Sequence, residues 1–90
     1  MIQIHGTLVD PQGQARFEDL DVFIAAQAMP GGGGGWVGYF DPPSASGLIT
    51  GETFRLVLDD GRTGDILIQG VRARGRCAAR VVFSAETPLR

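Results

Sequence analysis

Thr53-Phe-Arg-Leu-Val-Leu-Asp-Asp-Gly-Arg-Thr-Gly-Asp-Ile-Leu-Ile68 decides the fold. Phe54, Leu56 and Leu58 alternate with polar or smaller neighbours, and Ile66 and Ile68 do the same after the break. That period of two is the signature of a half-buried strand. Asp60-Gly61 has the composition of a two-residue hairpin turn. A loop that short would set Leu56 opposite Asp65 and turn Ile66 to the wrong face. An odd loop of three or five residues within 60–64 keeps the apolar sets together and aligns Leu58 with Ile66 and Leu56 with Ile68. Gly61 and Gly64 then supply positive-φ or bulge positions.

The next hairpin follows the same logic. A two-residue loop at Arg74-Gly75 pairs Ala73 with Arg76, Ile68 with Val81 and Ile66 with Phe83. Strands near 53–59, 65–73 and 76–84 therefore form an antiparallel meander that shares one apolar face, with Leu56, Ile68 and Val81 on it.

Working outward, Ile2, Ile4, Gly6 and Leu8 alternate with Gln3, His5, Thr7 and Val9, a first strand that ends at the turn Asp10-Pro-Gln-Gly13. The segment from Arg16 to Met29 reads two ways. Period two puts Leu20, Val22, Ile24 and Ala26 on one face. Period 3.6 puts Phe17, Leu20, Ile24 and Ala28 on one stripe. Val22-Phe23-Ile24 and the lack of an N-cap before Arg16 favour a strand over 20–28. Gly31 to Gly35 is a flexible glycine loop within 30–35. A phosphate cradle needs a following helix, and Trp36-Val-Gly-Tyr-Phe40 is a strand instead. The expected architecture is all-β: one small single domain over 1–90, an antiparallel barrel of about six short strands. A two-sheet β-sandwich, or α+β if 16–29 is helical, is the alternative.

Ile4-His-Gly-Thr-Leu-Val-Asp-Pro-Gln-Gly13 resembles the opening of carboxypeptidase-regulatory-like, transthyretin-type modules over ten of the ninety residues. The resemblance implies the two-sheet sandwich and assigns no role to any residue here.

Ninety residues with 43% apolar and 20% charged content bound the chain to one modest core. Stability near the low end of about 5–15 kcal/mol is expected. No apolar run reaches membrane-helix length, and the N-terminus lacks the pattern of a signal peptide, so a cytoplasmic location is expected. All eight basic residues are arginine, as a GC-rich bacterial coding bias produces. Their distribution is uneven. Residues 1–70 carry three arginines against nine acids, a net of −6, and residues 71–90 carry five against Glu86, a net of +4. The overall −2 disfavours nucleic acid as a partner.

Little here suits catalysis. His5 is the only histidine and falls on the polar face of its strand. Cys77 is the only cysteine, excludes an internal disulfide, and reads as a small interior residue. Asp59, Asp60 and Asp65 surround one turn without the spacing of a calcium loop, and read as turn-capping groups. The chain is therefore expected to be a non-enzymatic interaction module with no cofactor and no metal. It is expected to act through a protein partner or self-association, for which unprotected strand edges are suited. The alternative is a small-anion or nucleotide sensor using Arg72, Arg74 and Arg76 at one hairpin tip, where guanidinium groups can grip phosphate. Trp36 is either core or an exposed contact anchor.

Overall fold

The computed structural model describes residues 1–28, 34–42, 48–73 and 79–90. Every regular element among them is a strand: β1 Ile2–Val9, β2 Ala15–Ala28, β3 Gly34–Phe40, β4 Thr53–Leu58, β5 Thr63–Ala73 and β6 Ala79–Ala85. They close into an antiparallel barrel in the order β1-β2-β3-β6-β5-β4. Two three-stranded meanders are thus joined along β3–β6 and β1–β4. Closure excludes the two-sheet sandwich, and the strand at 15–28 excludes the helical reading of 16–29. Among the described residues no helix is long and apolar enough to cross a membrane.

Closure also corrects the expectation of unprotected edges. Along the barrel body each strand has a partner on both sides, which removes the free edges of an open sheet. Edges stay open only where strands overrun their neighbours at the two ends.

Period-two alternation explains the interior. Leu8 from β1, Leu20, Val22 and Ile24 from β2, Phe40 from β3, and Leu56, Ile68 and Val81 from the second meander are all buried. Side chains fill a barrel this narrow, and no charged or polar side chain is buried among the described residues. In β2 the alternation survives two register shifts against β1, between Gly6 and Leu8 and between Leu8 and Val9. The register passes from Gly6↔Leu20 to Leu8↔Phe17, and Asp19 sits there at φ 55°. This bulge inserts an extra residue and re-aims the Asp19 side chain toward β1.

Both predicted hairpins keep their parity near the core but change register. The β4–β5 turn has three residues, 59–61, with Gly61 at φ +94° and the Leu58 amide donating to the Arg62 carbonyl. Phe54 faces Ile66 and Leu56 faces Gly64, not Ile68. Parity constrains a register only to even steps, and the tightest odd loop prevails. Gly64 then has a different task from a turn glycine. A Cβ there would lie 2.7 Å from Trp36 Cζ2, so the indole occupies the space a side chain would take.

In the β5–β6 hairpin Ile68 faces Phe83, not Val81, and Ile66 faces Ala85, not Phe83, while Val71 faces Val81 and Ala73 faces Ala79. The Ala73↔Ala79 pairing overturns the two-residue Arg74-Gly75 loop and its Ala73 to Arg76 pairing, and a register shift between Ile68 and Gly70 adds one residue to β5. The tip itself, with Arg74, Arg76 and Cys77, lies outside the described residues. So do residues 30–33 of the glycine loop expected at 30–35, whereas Gly34 and Gly35 belong to β3.

Candidate functional site

Strand lengths create the most distinctive surface. Pairing of β1 with β4 runs from Val9↔Arg55 to Gly6↔Leu58 and ends with the Asp59 amide donating to the His5 carbonyl. On its other side β1 continues against β2 to Ile2↔Ile24, and β2 continues against β3 to Ala28↔Gly34. Three strands therefore rise above the rim where β4 has already turned into β5. The barrel is left with an open mouth.

The mouth is an apolar groove of about 530 Å³, lined by Met1, Ile2, Ile24, Trp36 and Leu89 with Arg62 on the facing wall. Ile2 has the parity of the interior set, yet it is 52% exposed, and Met1 is 73% exposed. Trp36 forms the floor and is only 7% exposed. Its ring meets Phe83 edge-on at 5.7 Å, and its Nε1–H donates to the Thr87 carbonyl at 3.0 Å. The C-terminal tail holds that carbonyl in place. The Asp65 amide donates to Thr87 Oγ1, the Glu86 amide donates to the Asp65 carbonyl, and Thr63 and Arg90 exchange backbone hydrogen bonds. Floor and wall are thus preformed. Arg62 donates from Nε to Asp60 Oδ2 at 2.7 Å, which pairs the guanidinium at the rim with a carboxylate.

On the outer surface below the open edge of β1 lies a charged cluster. His5 Nδ1 meets Asp19 Oδ1 at 2.7 Å and Nε2 meets Asp21 Oδ1 at 3.1 Å. Asp59 completes the group, with one ligand-type atom each of His5, Asp19 and Asp59 lying within 4.8 Å of one another. The hydrogen bond from Asp19, then the charge of Asp21, raises the His5 pKa above its ordinary 6.5. Both imidazole nitrogens face carboxylates, an arrangement that favours the protonated ring. The acidic turn divides accordingly: Asp59 joins His5, Asp60 caps Arg62, and Asp65 pairs with Arg55 across β4–β5 at 3.2 Å.

The residues singled out by sequence do not come together. Trp36 lies in the mouth, whereas Arg72 sits at the opposite end of the barrel, facing Arg80 across β5–β6. Arg74 and Arg76 fall outside the described residues. Arg80 is bound through Nε and Nη2 to both Asp41 oxygens, at 2.9 and 3.1 Å, and its guanidinium lies 4.2 Å from the Tyr39 ring centroid. Sequence reasoning missed Ile2 and Leu89 as residues of the groove lining. The available signal was the length of the apolar alternation through 20–26, longer than the strand expected beside it.

A second recess of about 360 Å³ lies between the Asp10 turn and the Arg55–Asp65 pair. Its polar groups already satisfy one another, since Asp10 Oδ1 accepts from the Gln12 and Gln14 amides. Comparison with protein-family models, with curated proteins and with solved structures finds no match for this chain.

Proposed function

We propose that the protein is a non-enzymatic interaction module that receives a segment of a protein partner in the barrel mouth. One observation carries this reading: an inward-facing strand residue, Ile2, is left half exposed above a rigid tryptophan floor. Contiguous apolar surface at a preformed concavity marks contact sites in small proteins. The groove is lined by aliphatic and aromatic groups and one arginine already paired with Asp60. That suits burial of apolar side chains better than proton transfer. A photocrosslinking residue, p-benzoylphenylalanine, at Ile2 tests it, with Gln12 on the opposite turn as control. Saturable protein adducts of defined mass are expected from Ile2 and none from Gln12. Equal or absent adducts at both positions would remove the reading.

A second reading, anion binding by the arginine hairpin, has one feature in its favour. Arg72 faces Arg80 directly, and like charges opposed on neighbouring strands repel. Arg72 forms no ion pair among the described residues, although Arg80 is already occupied by Asp41. A thermal-shift screen with nucleotides and inorganic phosphate at millimolar concentration decides it. No stabilisation, or the same response in an Arg72, Arg74 and Arg76 triple alanine variant, would exclude it.

A further inference from the structure

Among the described residues, β1 at the mouth and β5 at the other end each present an open strand edge, and the chemistry of these two edges is complementary. At the mouth, residues 2–4 of β1 pair with β2 alone. The Asp59–His5 bond shows that odd-numbered residues of β1 turn their backbone groups toward the β4 side, so the Gln3 N–H and C=O point out of the open edge. At the other end, β4 leaves β5 at Thr53↔Leu67, and Ile68 makes the last bonds on that side, to Glu52 and Gly51. Beyond it, among the described residues, 69–73 of β5 pair only with β6.

We propose that the occupant of the mouth is this β5 edge from a second copy of the chain, so that copies associate head to tail. The inference rests on the mouth reading above and names its partner. Side-chain alternation supports the match. Val71 faces the buried Val81 and lies against the core side, while Arg72 is exposed on the outer side. Added alongside β1, such a strand places Val71 next to Ile2 over the Trp36 floor. Run parallel to β1 in that register, it sets Arg72 beside Gln3 on the outer face, one alternate position from His5 and its carboxylates Asp19, Asp21 and Asp59. Opposite charges on adjacent strands are favourable, and the contact relieves the Arg72–Arg80 repulsion. Ile49, 64% exposed, precedes the turn that contacts Ile68 and adds apolar area beside the donor edge. Strand addition supplies backbone hydrogen bonds, and the alternating side chains supply the selectivity.

The two surfaces lie at opposite ends, so the contact is heterologous. Each copy keeps one free end, and growth continues past the dimer unless a ring closes. Sedimentation velocity of the whole chain, from micromolar to near-millimolar concentration, reads this directly. Average mass is expected to climb without a plateau at two copies and to fall as salt is raised. Gln3→Pro removes the open-edge N–H and Arg72→Glu sets a carboxylate against three others. Each variant alone is expected to stay monomeric, with association weakened about tenfold or more, equivalent to about 1.4 kcal/mol. Mixed, they retain one intact mouth and one intact β5 edge, and are expected to form a one-to-one dimer and nothing larger. Ile2→Glu replaces Gln3→Pro if the proline variant does not fold. A wild type that stays monomeric throughout overturns the proposal, as does a mixture that gives no dimer. If Ile2 crosslinks to a different protein while the wild type stays monomeric, the mouth reading stands and the second copy is excluded. If Ile2 yields no adduct as well, both fall.

Discussion

Each end of the barrel is held by one large planar group, and the two groups are held in opposite ways. At the mouth, the Trp36 indole is buried, seated on Gly64 and tied to the tail by one hydrogen bond. At the other end, the Arg80 guanidinium lies on the Tyr39 ring at the surface and is gripped by Asp41. The first arrangement depends on excluded volume and apolar burial, which salt hardly changes. The second depends on partly solvated charge, which salt screens. A barrel built this way has a mouth whose packing is insensitive to salt and a far end whose ion pair is sensitive to it.

The largest break in that comparison is Trp36→Ala. Loss of a buried indole costs about 3–5 kcal/mol, close to the total stability of a domain this size. Equilibrium denaturation is expected to find the variant unfolded or nearly so at ambient temperature. Gly64→Ala comes next. Its Cβ would lie 2.7 Å from Trp36 Cζ2 and 3.3 Å from Leu89 Cδ1, an overpacking that costs about 1–3 kcal/mol. Trp36 fluorescence is expected to shift to longer wavelength as the indole is pushed toward the mouth. An unchanged spectrum and midpoint would show that the floor is softer than described.

Charged groups should give smaller effects. The His5 pKa is raised in the fold, chiefly by Asp19 and then Asp21. Protonated His5 therefore favours the folded state, fully so below its unfolded value near 6.5. That contribution is lost as pH rises through the higher folded value. Thermal unfolding of the wild type is expected to lose more stability between mildly acidic and mildly alkaline pH than His5→Gln does. An NMR titration of Asp19→Asn is expected to bring the imidazole back toward 6.5. Parallel pH profiles for wild type and His5→Gln would contradict this. Last, Arg80→Gln is expected to lower the unfolding midpoint slightly at low salt and not at molar salt, whereas the effect of Gly64→Ala persists in both.

What the sequence could reveal follows the same division. Parity is a local property, so the burial of Leu56, Ile68 and Val81 on one interior could be read from alternation alone. The strand over 20–28 was also legible, because Val22-Phe23-Ile24 suits a pleated surface better than a helix. Register is not local. Leu56 meets Gly64 because a three-residue turn at 59–61 is tighter than the five-residue loop that also keeps parity. Val71 meets Val81 because an extra residue is absorbed near Gln69, and alternation cannot announce a bulge. The mouth was hidden for a related reason. It arises from β1, β2 and β3 overrunning β4, a difference in pairing between strands far apart in the chain. Trp36 could be named from sequence but not placed, because its burial depends on Gly64 and on a tail more than fifty residues away.

Amide hydrogen exchange along β1 tests the open mouth most directly. In dilute protein the Gln3 amide is expected to exchange rapidly while the Ile4 amide, turned toward β2, is protected, and Gln3 protection should appear as concentration rises. A Gln3 amide already as protected as Ile4 at the lowest concentration would mean that the edge is covered within a single chain, and the mouth would not be a docking site.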